Sequence, residues 1–472
     1  MMKILTGLLL FFMVFTARAQ QFSHFNTGTL FDSFENPAQR AFIPDSSRQF
    51  AFNFFIPNFS SSSSFAGNGQ NTIRSLISKG TYNSSGLTSG LQKRNNINLN
   101  VNTYWFMLKM YNRLDDDSEI GLSAQTKATG SGSITDESLL LLDNYKNFAN
   151  GTYNNDLFNN YAHTQGYHQL SLTYRKKVSP TVAFGMKLSA LLGVYYTKLN
   201  ITQSSFYVGK DSTQAALFLK GKYISTYTGG PFGKRDLIGY RNPGAAVSFG
   251  VQAQLENGVL LQGNVRDLGF IRWSKNTTTY DFNGSQNVDR IAVTRYNDSR
   301  ILTEADSIIT KNPSNHAFIA PIDGQADLSA SKKFNLLTPD FYYLPTFVVS
   351  KNLFYNGLTA ALVNHFTYKS LWLTALATYN DDRVWNIGGQ LMIKSPNAEF
   401  YLGAEQLLHD AQFSKSNYNT TAAATGLDVF LGFSVKFGRV IEHPANASYI
   451  PMGEERGFFN RMWMRIFKRS YY

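Results

Sequence analysis

Apolar and polar residues alternate over many short segments of this chain, and a period of two is typical of β-strands. Segments 96–105, 182–189, 247–256 and 427–437 each carry apolar side chains at every second position, opposite Asn, Gln, Ser, Gly or Lys. The same alternation recurs near 119–128, 167–176, 258–266, 341–350, 357–367, 370–379, 384–393 and 398–407. These segments predict an all-β protein of about fourteen strands.

Two arrangements of such strands satisfy the pattern. A soluble β-sandwich buries the apolar faces between two sheets, whereas a transmembrane barrel turns them toward lipid and keeps small polar residues inside. The segments have about the nine to eleven residues that a tilted membrane-spanning strand needs. Aromatic residues also cluster at strand ends, as in the interfacial girdles of membrane barrels. These clusters lie at 103–106, 192–196, 340–345 and 399–403.

We therefore predict a single transmembrane antiparallel β-barrel over residues 49–440, with a secreted soluble β protein as the alternative. Connections between its strands alternate in length: the short turns lie at 177–180, 256–258 and 395–397, and the long connections at 60–95, 129–166, 205–243 and 276–339. In the first of these connections, 61–71 and 81–90 are Ser-, Gly- and Asn-rich and are predicted to be flexible surface loops. Two later stretches, at 136–148 and 304–311, are predicted to be locally helical. In such barrels the long connections face outward and the short turns face the periplasm.

The first residues have the layout of a secretory signal peptide. Lys3 precedes an apolar run at 8–15, and a small-x-small cleavage signal, Ala-Arg-Ala, ends at residue 19. The run is too short to span a bilayer, which argues against the alternative, an N-terminal membrane anchor. Residues 1–19 are therefore predicted to be a signal peptide, and 20–48 to form an N-terminal periplasmic or lumen segment.

Composition and charge exclude several classes of function. The chain contains no cysteine, so disulfides and thiolate metal sites are impossible. The net charge of +12 is spread thinly along an exported chain, which makes nucleic acid a poor partner. Its seven histidines show no metal-ligand spacing, His163 and His168 are expected to be solvated in or beside a long loop, and 229–236 departs from a phosphate-binding loop. We predict a non-enzymatic protein without catalytic residues, metal or cofactor.

The C-terminal segment 441–472 is predicted to be a periplasmic linker followed by a basic amphipathic tail. Read at helical spacing, the tail places aromatic and aliphatic residues on one face and basic residues on the rest, which fits an interfacial membrane helix or a docking helix for a periplasmic or surface partner. A disordered basic tail is the alternative. The residues concerned are Arg456, Phe458, Phe459, Arg461, Met462, Trp463, Arg465, Ile466, Phe467, Lys468 and Arg469.

Five fragments together resemble an uncharacterised Bacteroidota family of outer-membrane β-barrels of unknown function, similar to FadL-type channels and to the barrels that accompany type IX secretion and gliding. They lie at 34–44, 52–68, 265–273, 385–408 and 429–438. The resemblance implies that Asn36, Pro37 and Ala38 belong to an N-terminal segment tucked into the lumen as a plug or ligand site, while an ordinary Asn-Pro turn is the alternative. It also suggests that Arg266 and Asp267 pair in the lumen, and that 267–269 form a bend or bulge.

The resulting hypothesis is an outer-membrane barrel, in contact with lipid and with both termini periplasmic, that acts as a channel for a small hydrophobic ligand. Such a transporter predicts an apolar pocket near 36–38. The alternative is a structural or accessory component of an envelope assembly that binds partners through its tail.

Overall fold

The computed structural model describes most of the predicted barrel and part of the segment before it. The predicted signal peptide, the linker and all eleven tail residues lie outside the described part, so those assignments stay predictions. None of the helices in the described part is long and apolar enough to cross a membrane. The described residues are 25–41, 48–111, 117–226, 242–289, 298–336, 340–355, 357–380, 385–408, 410 and 424–440.

Side-chain burial alternates along the strands, with the polar side inside. Leu170 and Leu172 are 55% and 53% exposed, whereas Ser171 and Thr173 between and beside them are each 1% exposed. A β-sandwich would bury the leucines and expose the hydroxyl groups to solvent. Here the apolar side chains instead point outward over much of the strand surface. This pattern confirms the barrel and argues against the soluble β-sandwich.

Within the described ranges, the elements follow one another as a series of antiparallel strands with four short α-helices and one 3₁₀ helix. The helices are α1 (Leu30–Glu35), α2 (Gln70–Lys79), α3 (Asp136–Asp143), the 3₁₀ helix (Tyr145–Phe148) and α4 (Asp298–Ile309). The first strands are β1 (Arg48–Phe52), β2 (Asn58–Ala66), β3 (Arg94–Tyr111), β4 (Ser118–Thr135), β5 (Tyr153–Asn155), β6 (Tyr161–Lys177), β7 (Val182–Val208), β8 (Gln214–Ser225), β9 (Pro243–Gln254), β10 (Val259–Trp273) and β11 (Thr278–Asp289). The remaining strands are β12 (Pro313–Asn315), β13 (Phe318–Pro321), β14 (Gln325–Lys332), β15 (Phe334–Asn335), β16 (Phe341–Asn352), β17 (Leu358–Tyr368), β18 (Leu371–Asn380), β19 (Trp385–Lys394), β20 (Ala398–Ala404) and β21 (Ala424–Val440).

Fourteen of these strand positions close into one barrel, as the sequence predicts. β1 and β2 together form the first position, because both pair with β21 on one side and with β3 on the other. The ring then continues through β4, β6, β7, β9, β10, β14 and β16 to β21. The other strands are additions at one end of the barrel or along its edges.

The first strand position is interrupted at residues 53–57, and two asparagine side chains replace the missing strand pairing. Asn53 accepts a hydrogen bond from the backbone N–H of Met107 (3.0 Å). Asn58 accepts one from the backbone N–H of Phe433 (3.1 Å). Because an unpaired backbone donor in a membrane wall is costly, these two side chains keep the wall closed where the strand leaves it.

Several strands continue beyond the rim at the end that carries the long connections. β7 pairs with β9 only up to Leu192, and its upper part pairs with β8, which in turn pairs with β11. One face of this extension packs against α3, the 3₁₀ helix and α4 around an apolar core outside the barrel. Members of that core include Leu140, Leu141, Phe148, Phe158, Ile201, Phe206, Leu217, Leu219, Phe282, Ile301 and Ile308.

The long connections are more ordered than their composition predicts. The Ser-rich stretch 58–66 is strand β2 and is followed by α2, so the prediction of a flexible loop over 61–71 is wrong there. β2 forms despite its serines because both of its neighbours supply backbone partners along its whole length. The predicted helical stretches at 136–148 and 304–311 are confirmed, although α4 begins earlier, at Asp298.

Candidate functional site

Residues 25–41 form a plug (the name used below for this segment) inside the barrel. Its helix α1 begins at a capping box: Thr29 Oγ1 accepts a hydrogen bond from Asp32 N, and the Asp32 carboxylate accepts one from Thr29 N, each at 3.2 Å. Reciprocal bonds of this kind stabilise a very short helix by satisfying donors that it leaves free. All six residues of α1 are buried. Residues 25–41 of the predicted segment 20–48 thus lie inside the barrel, Arg48 belongs to β1, and 20–24 and 42–47 lie outside the described residues.

Charged side chains of the barrel wall bind the main chain of the plug. Lys109 Nζ donates to the carbonyl of Ser33 (3.0 Å), and Lys394 Nζ donates to that of Gly28 (2.8 Å). Arg175 Nε donates to a further plug carbonyl, that of Ala38, at 2.9 Å. Charge-assisted bonds of this kind are about twice as strong as neutral ones. The wall thus holds the plug largely by backbone atoms.

One buried ion pair joins a plug side chain to the wall. The carboxylate of Glu35 pairs with Arg266 Nη1 and accepts a hydrogen bond from Tyr104 Oη at 2.8 Å. Burial opposes ionisation of Glu35, but the nearby Lys127 and Arg266 cations outweigh it and hold the pKa of Glu35 down to about 2. Arg266 also pairs with Asp327 (3.2 Å), so it bridges the plug to a second strand of the wall.

A second network surrounds Asp267. Its carboxylate pairs with Lys127 and with Lys187 Nζ (3.1 Å), and it accepts a hydrogen bond from Gln169 Nε2 at 2.9 Å. Its backbone N–H donates to Ser248 Oγ (2.9 Å). Since its partners come from β4, β6, β7 and β9, this side chain ties four wall strands together at the height of the plug.

Arg266 and Asp267 both face the lumen, but each finds its ion partners elsewhere, so the predicted pair between them is wrong. The cause is a β-bulge: the pairing of β10 with β9 shifts register between Val265 and Leu268. Asp267 has φ 53°, a left-handed conformation that lets two consecutive side chains point inward. The bend predicted at 267–269 is therefore present, and it separates the two charges into different networks.

Asn36, Pro37 and Ala38 follow α1 and press against the wall. Asn36 Oδ1 accepts a hydrogen bond from the N–H of Ala38 (3.1 Å), which makes a tight Asx turn. Two wall glycines permit this approach, since a Cβ at Gly185 would overlap the carbonyl of Pro37 and one at Gly250 would overlap the side chain of Asn36. The resemblance and the Asn-Pro turn thus describe the same three residues, and their role in ligand binding stays a prediction.

Two cavities beside the plug are lined mainly by polar residues. The cavity beside Asn36 has nine polar lining residues of ten, Val348 being the exception. It does not have the lining of the apolar pocket expected near 36–38, which stays a prediction. A second cavity lies between Phe31 of the plug and the charged residues Lys127, Arg266, Asp267 and Asp323. Within the described ranges, no group of three or more His, Asp or Glu side chains is arranged to hold a metal ion.

Sequence reasoning missed several of the residues that build this site. Lys127 and Lys187 lie on the polar faces of their strands. A single charged residue on the inward face of a predicted barrel strand indicates an ion partner inside the lumen, and this signal was present in the sequence. His163, expected to be solvated, is 3% exposed and stacks on Tyr355 with ring centroids 5.0 Å apart. Both histidines lie on β6, which begins at Tyr161, and not in a loop. The expectation that His163 is solvated is wrong. His168 is half-buried and bonds to Thr126 Oγ1 at 2.8 Å, so its predicted contact with solvent stays a prediction.

Solved structures that this chain resembles include a transporter, a FadL homologue and the translocator domain of an autotransporter. The toluene transporter TodX of P. putida is 7% identical, with 84% of this chain and 91% of that chain covered and a TM-score of 0.39. A FadL homologue of Pseudomonas aeruginosa is 13% identical, with 87% and 95% covered and a TM-score of 0.41. The translocator domain of the autotransporter NalP from Neisseria meningitidis is 6% identical, with 84% and 90% covered and a TM-score of 0.33.

No curated protein matches this sequence. A sequence model for a family of unknown function does match, over residues 41–405, which is most of the chain. The chain belongs to that family of unknown function, DUF5723.

Proposed function

We propose that this protein is a non-enzymatic outer-membrane channel whose lumen is closed by the plug, and that a solute passes only when the plug shifts. The observation that carries the proposal is the position of residues 25–41 inside a closed barrel whose outer surface is apolar. A barrel of this kind meets the requirement that every backbone group in a membrane wall be bonded internally. The lumen segment then explains why so many charged side chains point inward.

The way in which the plug is held supports a reversible closure. Most of its polar contacts to the wall are made by its own backbone atoms, as at Gly28, Ser33 and Ala38. When a lysine or arginine donor releases a backbone carbonyl of the plug, water takes the place of the carbonyl. Breaking each of these hydrogen bonds therefore costs only the difference between the bond to the plug and the bond to water, about 1.5–3 kcal/mol for a charged donor. The Glu35–Arg266 pair is the stronger link and fixes the register of the plug.

The lining favours a polar solute over the small hydrophobic ligand expected from the sequence. Both cavities beside the plug present amides, hydroxyls and charged groups. An apolar molecule placed there would strip these groups of water without offering hydrogen bonds in return, at a cost of about 1–3 kcal/mol for each unpaired group. A hydrophilic solute makes those bonds itself.

A reducible cross-link that locks the plug tests the proposal, and the cysteine-free chain leaves no competing thiol. Asn26 of the plug and Ser329 of β14 meet side chain to side chain at 3.4 Å, and both are partly exposed. In planar bilayers, the Asn26→Cys/Ser329→Cys variant joined by a short thiol-reactive linker with a disulfide at its centre should be closed when oxidised and should regain ionic current when reduced. The two single-cysteine variants serve as controls. Equal currents in the oxidised and reduced double variant would refute the proposal.

The alternative role in an envelope assembly depends on the tail at 453–472, which lies outside the described residues. It predicts that deleting this segment abolishes co-purification of a partner while leaving channel currents unchanged. Loss of current without loss of a partner would count against the assembly role.

A further inference from the structure

The sheet that rises beyond the barrel rim has two faces of different chemistry. On one face Ile201, Phe206 and Leu219 pack into the external apolar core. The opposite face, called the polar wall here, consists of three cross-strand rows near the rim. They are Lys198–Ile224–Thr279, Asn200–Lys222–Asp281 and Gln203–Lys220–Asn283.

The polar wall is continuous with the inner surface of the barrel. Lys198 lies directly opposite His163, and Tyr196 lies opposite Gln165. Residues in register on neighbouring strands share a face, and His163 and Tyr196 are buried inside, where Tyr196 packs on Trp273 with ring centroids 5.3 Å apart. The polar wall and the lumen lining therefore lie on the same face of one continuous sheet, with the cluster of Tyr196 and Trp273 between them.

The polar wall carries an excess of positive charge. Its three rows contain three lysines, Lys198, Lys220 and Lys222, and one aspartate, Asp281, a net charge of +2. The aspartate pairs with Lys222 at 3.5 Å, but both side chains are exposed, 48% for the lysine and 67% for the aspartate, so this pair holds its partners weakly. Two lysines are left to face an incoming ligand.

Uncharged hydrogen-bonding groups and exposed rings complete the surface. Asn200, Gln203 and Asn283 place amides between the lysines. Further from the rim, Tyr207 lies on the same face and Tyr153 of β5 packs beside it with ring centroids 5.0 Å apart, the latter ring 66% exposed. Amides bond sugar hydroxyls, lysines attract carboxylate or sulfate groups, and a tyrosine ring offers an apolar face with a polar tip.

We propose that the polar wall binds an acidic saccharide chain. The positive charge of the polar wall favours an acidic ligand. Its amides and the tyrosine pair favour a saccharide over a polyanion that has no sugar hydroxyls. The inference goes beyond the proposed channel, because binding at the wall requires no movement of the plug. It assigns to the extended strands a capture surface at the mouth of the lumen.

Fluorescence anisotropy of a labelled oligogalacturonate, a chain of uronic acids, tests the proposal on the full-length protein in detergent. The wild type should bind it, with affinity falling as salt rises, and should bind a neutral malto-oligosaccharide of equal length at least about tenfold more weakly. The variant Lys198→Ala/Lys220→Ala/Lys222→Ala should lose at least about tenfold in affinity. Tyr207→Ala should weaken binding of oligogalacturonate but leave that of polyglutamate unchanged.

A matched triple variant, Lys146→Ala/Lys210→Ala/Lys311→Ala, removes the same charge from exposed positions off the polar wall. It should bind oligogalacturonate as the wild type does; an equal loss would overturn the proposal, because general charge would then explain the binding. Absence of binding to the wild type, or an affinity for polyglutamate of equal charge that matches the affinity for oligogalacturonate, would overturn it as well. If purified lipopolysaccharide binds more tightly than oligogalacturonate, the ligand is a membrane headgroup, and the proposal of a saccharide chain is overturned. These outcomes are independent of the current measurements that test the channel.

Discussion

Glu35→Gln is the most direct perturbation of the contact between plug and wall. The substitution keeps the size and the hydrogen-bonding capacity of the side chain, so Tyr104 Oη retains an acceptor, but it removes the charge opposite Arg266. Breaking a buried ion pair by removing one partner costs about 3–5 kcal/mol. Because Arg266 keeps Asp327 at 3.2 Å, the cost should fall at the lower end, about 3 kcal/mol.

That free energy translates into a measurable change in the population of the docked plug. At 1.36 kcal/mol per tenfold, about 3 kcal/mol corresponds to an increase of about 100-fold in the ratio of undocked to docked plug. Single-channel recording in planar bilayers should therefore show a large rise in the fraction of time spent open. Glu256→Gln, at an exposed turn, is the matched control and should leave the recordings unchanged.

The pairwise contribution is isolated by a double-mutant cycle with Arg266→Gln. If the ion pair holds the plug, the two single variants and the double variant should show a coupling of at least about 1 kcal/mol in the open–closed equilibrium. Wild-type gating in Glu35→Gln, or effects that simply add, would refute the reasoning that this pair fixes the plug.

Three further results are expected. Gly185→Val should push the plug off the wall and raise the current, whereas Gly263→Val, whose added Cβ meets only side chains at 3.3 Å or more, should not; equal currents in the two would exclude the steric argument. Burial raises the pKa of Asp32 to about 6, so its ionisation above that pH opposes docking. The plug should therefore bind more tightly as pH falls from about 7 to about 4, by about 2 kcal/mol. Open probability measured against pH should lose that part of its dependence in Asp32→Asn. Asn58→Ala removes the acceptor of Phe433 N–H and should lower the unfolding free energy in detergent by about 1–3 kcal/mol, read from the urea midpoint against wild type.

The barrel was predictable from the sequence because its signal is repeated on every strand. Alternation such as that around Leu170 and Ser171 decides which side of a strand faces outward, and a pattern repeated this often needs no knowledge of neighbours. The Ser-rich β2 could not be found in the same way, since its strand character comes from β3 and β21 on either side. The local residue preferences there do not favour a strand, but pairing with the neighbouring strands does, and pairing determines the observed structure.

The plug site shows the limit of short-range reasoning more clearly. The bulge at Asp267 was visible as an Asp-Leu-Gly step, but the partners of its carboxylate are Lys127 and Lys187, far away in sequence. Which charges meet across a lumen depends on strand register and on the position of Glu35, and neither is encoded locally. The sequence placed Arg266 and Asp267 in the lumen, but it did not identify Lys127, Lys187 or Glu35 as their ion partners.

The interruption at 53–57 has a consequence for how this protein is built. The first and last described strands meet along one seam, and that seam consists of two separate runs of backbone bonds, with Asn58 accepting a bond from Phe433 N–H in the gap between them. Because backbone pairing is interrupted there, fewer bonds hold this line than a continuous strand pair would have. Mechanical or chemical unfolding of the cylinder should therefore begin along this line.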